Sequence, residues 1–190
     1  MQVDWNFRKD HSRTRNQVYV TIDGTDFRIL EPRPFSKSWF SHKFKGPGVR
    51  YEIGVSIATG WIVWVNGPYR CGAWPDEKIA QDGLHHILED GERYIADGGY
   101  KSRLALVPDD ATTQQECHYM QICRTRHETI NQRFKKFKVI GDRFNREVEK
   151  HGIFTHAVVN IVQLGIMVEE INPFDVSNYF DEPATWPSSW

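Results

Sequence analysis

The sequence predicts a mixed α/β layered domain, a sheet covered by helices, and three observations carry that prediction. Apolar and polar residues alternate with period two at 18–22, two β-branched and aromatic runs meet at Thr59-Gly60, and two later stretches repeat apolar residues at helical spacing. The 190 residues allow one domain with a sizeable core. A mean hydropathy of −0.57 with 39% hydrophobic residues fits neither a disordered chain nor a membrane protein.

The elements follow in order. Residues 1–16 are polar and basic without a period and read as a flexible lead-in; they hold no apolar signal-peptide core. Val18, Val20 and Ile22 form one face of a first strand, which Gly24 is expected to end, leaving Asp23 at its carboxyl end. A loop covers 30–48, and the runs 51–58 and 61–65 form a hairpin. Trp74-Pro75-Asp76 opens a helix, because Pro fits a first turn, and Ala80, Leu84, Ile87 and Leu88 give it one apolar face. Tyr94-Ile95-Ala96 is a short buried strand that delivers Asp97 into Gly98-Gly99. After a loop over 101–112, Thr113 and Glu116 match a capping box. In the helix it starts, Cys123, His127, Ile130, Phe134 and Phe137 mark the core stripe, with Arg124, Glu128, Asn131 and Lys135 on the neighbouring face. The last helix, about 153–170, is apolar almost all round and is expected to be central; its apolar run 157–168 is too short to span a bilayer, so no membrane partner is expected. Residues 17–181 are taken as the domain and 182–190 as a tail.

The formal charge of −1 hides strong segregation. Residues 1–50 hold 10 Lys and Arg against 5 Asp and Glu, and 51–123 hold 5 against 11. Residues 124–150 hold 9 against 4, and 151–190 hold none against 5. This pattern predicts a polarised surface. Three Cys without a C-x-x-C suit a reducing, intracellular compartment. Cys117 and Cys123, six positions apart on one helix, face different ways, which argues against a zinc site. Trp61 and Trp64 on the hairpin are read as packing residues in preference to base-stacking ones.

Sites in open α/β sheets gather at the carboxyl ends of strands, so Asp23 and Asp97 are expected to meet. With Glu128 from a helix packed alongside, they make a set of hard oxygen ligands suited to Mg²⁺ or Mn²⁺. Two such ions promote in-line displacement at phosphorus. Taken singly the signals are weak: Asp-Gly is a common turn, and a helical Glu pairs readily with an Arg four residues before it.

The ordered motifs add a resemblance. Val20-Thr21-Ile22-Asp23-Gly24-Thr25, Ser41-His42-Lys43 and Tyr51-Glu52-Ile53-Gly54-Val55-Ser56 resemble the opening of the DDE superfamily endonuclease domain of Harbinger-type and related cut-and-paste transposases. Ile95-Ala96-Asp97-Gly98-Gly99-Tyr100 is similar to the second acidic motif, and Arg126-His127-Glu128-Thr129-Ile130-Asn131-Gln132-Arg133-Phe134-Lys135 to the helical motif with the third acid. Pro173-Phe174-Asp175-Val176-Ser177-Asn178-Tyr179 resembles the closing segment.

The resemblance implies an RNase H-like mixed sheet flanked by helices. It also implies a transposase-type DNA endonuclease in which Asp23, Asp97 and Glu128 bind two Mg²⁺ or Mn²⁺ ions for phosphodiester hydrolysis, with strand transfer as a further step. Asp76 matches a recurrent acid and is assigned a supporting role. Lys43, Arg124, Arg126, Arg133 and Lys135 are expected phosphate contacts. Lys135-Lys136-Phe137-Lys138 resembles a minimal nuclear address, the nucleus being the expected compartment in a eukaryotic host, and a helix with a basic face and an apolar stripe explains the same residues equally well. Members carry a helical DNA-recognition region before the first acid, whereas 22 residues precede Asp23 here. A separate recognition module or protein is therefore an expected partner, and the oligomeric state is open. The alternative reading is a domesticated or truncated DNA- or protein-binding domain without catalysis.

Overall fold

Alternating apolar residues from Val18 onwards place a strand at the centre of the molecule, with its two faces buried under different helices. The computed structural model describes residues 3–10, 17–34 and 36–168. The end of the domain expected at 181, the closing segment 173–179 and the tail 182–190 lie outside the described residues. The central strand, β1 (Val18–Arg28), is followed by β2 (Phe40–Ser41), β3 (Gly46–Ser56) and β4 (Ile62–Arg70). Next come α1 (Asp76–Asp82), β5 (Arg93–Ile95), β6 (Ala105–Leu106), α2 (Gln114–Lys136), α3 (Lys138–Gly141) and α4 (His151–Val168). The result is a mixed open α/β sheet flanked by helices, in the order β6-β5-β1-β3, with β4 and β2 both pairing with β3.

β1 pairs antiparallel with β3 and parallel with β5, and β6 continues in parallel beside β5. Phe27 and Ile29 join Tyr51, Ile53 and Val55 of β3 in a core beneath Ile130 and Phe134 of α2 and Val158, Val159 and Val162 of α4. Val20 and Ile22 point the other way, into a second core with Ala80, Leu84, Tyr94 and Tyr100. The capping box forms as read: the Glu116 amide donates to Thr113 Oγ1 at 3.1 Å, and Glu116 Oε2 accepts from the Thr113 amide at 3.1 Å.

Four expectations are corrected. β1 does not stop at Gly24 but runs four residues further, because Gly24 stays in register opposite Glu52. The loop read over 101–112 contains β6. The lead-in is partly folded: Trp5–Lys9 forms a 3₁₀ turn that sets Trp5 on Trp64 and Phe7 on Trp61, with ring centroids 5.9 and 5.8 Å apart. Both hairpin tryptophans are thereby used in packing.

The fourth correction concerns α4, which is not central. Its inner face packs on the sheet, and Gln163 Oε1 accepts the Ile62 amide at 2.7 Å, while Ile153, Ile161, Leu164 and Val168 are exposed. With the preceding turn, Val148–Val168 spans 21 residues, and an 18-residue window within it has a mean hydropathy of 1.4, long and apolar enough by length and composition alone to cross a bilayer. The length argument from the sequence therefore does not hold for the whole helix. It is the packed inner face that makes α4 a part of this domain.

Arg8 closes the N-terminal turn onto the sheet: its Nε donates to Glu92 Oε1 at 2.7 Å and its Nη2 to Oε2 at 3.0 Å, with the side chains 3% and 1% exposed. Arg8→Ala strands a buried carboxylate and is expected to cost about 3–5 kcal/mol in urea denaturation followed by tryptophan fluorescence. A loss under about 1 kcal/mol, the range of an exposed pair, would refute that assignment.

Candidate active site

The parallel register of β1 and β5 brings the first two acids together. Thr21 pairs with Ile95, so Asp23 and Asp97, each two residues further on, emerge side by side where β5 ends and the sheet opens. Asp23 Oδ1 accepts the Gly24 amide and Asp97 Oδ1 the Gly99 amide, both at 2.8 Å. These local bonds turn each carboxylate at its own backbone.

Helix α2 supplies the third acid, and two hydrogen bonds one helical turn apart set its register against β1. Thr21 Oγ1 meets His127 Nε2 at 2.7 Å, and Thr25 Oγ1 donates to Asn131 Oδ1 at 2.5 Å. Strand residues 21, 23 and 25 share one face, so these bonds bracket Asp23 and bring Glu128 beside it. Asp23, Asp97, Glu128, Lys43, Arg124 and His127 line one cavity of about 370 Å³. His127 is fully packed, and burial together with the nearby Arg126 and Arg124 charges pushes it down to about 4 despite its bond to Thr21. It is a neutral strut at neutral pH.

Asp76 approaches from the opposite face of β1, through the space that Gly24 leaves. A Cβ on Gly24 would lie 2.1 Å from Asp76 Oδ1, and one on Gly99 would lie 3.4 Å from Oδ2. Asp76 is held by Arg50, whose Nη1 lies 3.2 Å from Oδ1. Arg50 in turn grips Asp26 with two bonds, Nε to Oδ1 at 2.6 Å and Nη2 to Oδ2 at 3.1 Å. Asp26 Oδ2 also accepts Ser41 Oγ–H at 2.5 Å, and Ser41 Oγ accepts the Lys43 amide at 3.2 Å. Burial works to raise Asp26, but its bonds from Arg50 and Ser41, with the Arg50 and Lys43 charges, hold it below the usual carboxylate range.

Asp23 at the cavity and Asp76 on the other face of β1 are under the opposite pressure. Burial raises Asp23, and the Asp97 charge adds to it against Lys43 and Arg124. Burial likewise raises Asp76, with Asp97 and Asp23 adding to it against Arg50 and Lys43. Asp23, Asp97 and Glu128 carry hard oxygen donors of the type divalent cations take, and Lys43 and Arg124 line the same cavity. Among the described residues no three His, Cys, Asp or Glu side chains stand close enough together to grip an ion as they are placed. The carboxylates line the cavity without converging on one point.

The expected phosphate contacts separate into three groups. Lys43 and Arg124 are at the cavity. Arg126 is not a surface contact: it is 5% exposed, and its Nη1 donates to the Ser56 carbonyl at 3.2 Å and to that of Ile57, securing the end of β3. Arg133 and Lys135 lie on the last turns of α2, about 8–10 Å beyond Glu128 along the axis at 1.5 Å per residue. They do not line the cavity.

Sequence reasoning missed Asp26, Arg50 and Glu52. Their signal was alternation: a strand continued through Gly24 puts Asp26 opposite Arg50 and Gly24 opposite Glu52. Glu52 is fully buried and accepts Trp64 Nε1–H at 2.8 Å, while its Oε1 and the Tyr100 hydroxyl lack a hydrogen-bond partner among the described residues. No protein-family model, curated protein or solved structure matches the chain.

Burial, with a smaller push from the Asp76 charge, raises Glu52 to about 8. A carboxyl that holds its proton more tightly when folded contributes stability below the ordinary carboxylate range and loses it as pH rises through about 8. Urea denaturation at a series of pH values from acid to alkaline should show Glu52→Gln flattening the decline seen in the parent protein; equal slopes would refute this. Gly24→Ala should cost about 1–3 kcal/mol, the range for overpacking, because the new methyl group displaces Asp76. An unchanged denaturation midpoint would show that Asp76 moves freely.

Proposed function

We propose that the chain is an RNase H-like, transposase-type DNA endonuclease that hydrolyses phosphodiesters with divalent metal, Mg²⁺ or Mn²⁺. One observation carries the reading: Asp23, Asp97 and Glu128, chosen from the sequence, come from two adjacent strands and a helix to line one cavity. The strand order supports the fold assignment, with an antiparallel β1-β3-β4 set followed by parallel β5 and β6. The resemblance of the ordered motifs to DDE superfamily endonucleases supports the choice of DNA as substrate.

When bound, a divalent ion supplies Lewis-acid stabilisation of the charge that builds on the phosphate oxygens. The protein's own groups do the rest. Asp23 and Asp97 from the strand ends and Glu128 from α2 would hold the positive charge, and Arg124, one helical turn before Glu128 on α2, would present its guanidinium to the substrate phosphate. The Thr21–His127 bond prevents α2 from turning, so Glu128 and Arg124 keep their positions at the cavity. Arg133 and Lys135 extend the basic surface along α2 for the flanking backbone. Joining of the freed 3′ hydroxyl to target DNA is the further reaction this class implies.

The second reading, a DNA- or protein-binding domain without catalysis, is favoured by the spacing of the acids, no three of which grip a common point among the described residues. A nicking assay on supercoiled DNA with Mg²⁺ or Mn²⁺ separates the two. Asp97→Asn should reduce metal-dependent nicking at least about 100-fold, the scale of losing an essential charge-stabilising group, with an unchanged circular dichroism spectrum. Nicking retained in that variant would refute the assignment of the acids. Metal-independent DNA retention with no cleavage by the parent protein would favour the second reading.

A further inference from the structure

We propose that the outer face of α4 is a self-association surface, on which two copies of this chain pair their α4 helices antiparallel about a twofold axis. The surface lies outside the acid-lined cavity and is independent of the chemistry there.

From His151 to Val168 the helix contains no Asp, Glu, Lys or Arg. A helix that covers a sheet ordinarily turns charged and polar residues away from the core. At 3.6 residues per turn, the side chains buried against the domain, among them Thr155, Val158, Val159, Val162 and Ile166, fill one arc of α4. The opposite arc holds Ile153, Ala157, Ile161, Leu164 and Val168, at steps of 4, 4, 3 and 4 positions. Ile153, Ile161, Leu164 and Val168 are 72, 54, 53 and 69% exposed, and Ala157 is exposed between them. Such a continuous apolar stripe marks an interaction site, and steps of three and four are those of a seam that packs on another helix.

The stripe is its own complement when reversed. With a twofold axis beside residues 160 and 161, antiparallel pairing sets Ile153 of one copy against Val168 of the other, since both stand about 11 Å from the axis at 1.5 Å per residue. Ala157 then meets Leu164, a small side chain opposite a large one, and Ile161 lies beside its own counterpart. Twofold symmetry makes each of these pairings occur twice, as a surface that recognises itself requires.

Charge selects the antiparallel direction. The chain entering α4 is basic, with 9 Lys and Arg against 4 Asp and Glu over 124–150, whereas 151–190 holds 5 acids and no Lys or Arg, beginning with Glu169-Glu170 directly after the stripe. Lys150 is paired with Glu147 at 2.8 Å, but Arg143 and Arg146 are exposed and have no carboxylate partner among the described residues. Antiparallel helices bring the acidic end of each copy to the basic end of the other, and parallel ones would set like charges together. Between those ends the stripe itself buries no charge, so its association carries no ionic desolvation cost.

Sedimentation velocity of the full chain over about 1–100 μM, the range in which small interfaces associate, should show the parent passing from one copy of 22.2 kDa to two. Ile161→Asp and Ile161→Lys each place like charges at the axis and should each weaken association at least about tenfold, while an equimolar mixture of the two associates again. Oxidative cross-linking reads the register: Ile153→Cys mixed with Val168→Cys should form a disulfide-linked pair above the parent's background, and Ile153→Cys alone should not. A parent that stays a single copy throughout overturns the proposal, whether flotation then finds it on phosphatidylcholine vesicles or deletion of 169–190 uncovers the face. Unchanged association in both charged variants overturns it, as does a mixture that fails to associate. Cross-linking of Ile153→Cys to itself in preference to Val168→Cys overturns the antiparallel arrangement. Should a charged variant lose its helical circular dichroism signal, the cysteine pair, which leaves the face apolar, decides the outcome.

Discussion

The Asp26–Arg50 ion pair organises everything that surrounds the acids. The two residues are direct cross-strand partners on β1 and β3, bonded in two places and almost completely buried. Each also has a second duty. Asp26 takes the Ser41 hydroxyl and so fixes the loop that carries Lys43, while Arg50 reaches Asp76 and the Trp74 carbonyl at the start of α1. Two distant segments are thereby fastened to one spot on β1, three residues beyond Asp23. Buried ion pairs contribute little net stability but are costly to break on one side, so this one sets position more than it adds to the folding free energy.

The two faces of β1 divide the work. On one face, Thr21 and Thr25 lock α2 and frame Asp23. On the other, Gly24 leaves room for Asp76 while Asp26 holds Arg50. The site sits where β5 stops, so a strand that is fully paired at Thr21 faces an open cavity at Asp23. Burying a carboxylate there works against stability, as the upward pressure on Asp23 records. Natural proteins commonly accept that cost where a site needs it.

Much of this was legible because local chemistry and global structure agree. Thr113 with Glu116 is a helix start in any context, and Thr59-Gly60 between two β-branched runs is a hairpin. Gly24 misled because a glycine after Asp usually marks a turn; here the same missing side chain serves a close approach by Asp76, and the strand continues. Arg126 misled in a similar way. A basic residue in a basic helix reads as surface, but its position beside His127 on the inner stripe turns it into the core, where it caps the carbonyls of Ser56 and Ile57.

By itself, then, the sequence determined the layered α/β class and the order of most elements, since periodicity, capping and turn chemistry act over a few residues. Tertiary structure alone decided which acids and bases share a cavity and which helix face meets water. Helix α4 illustrates the division: its sequence is apolar nearly all round, and only its packing on the sheet buries Val158, Val159 and Val162 and leaves Ile161 and Leu164 outside. The roles of Asp26, Arg50 and Lys43 depend on contacts between residues about 15 to 30 positions apart. Those contacts exist only once strand register and loop path are set, and no local pattern encodes them.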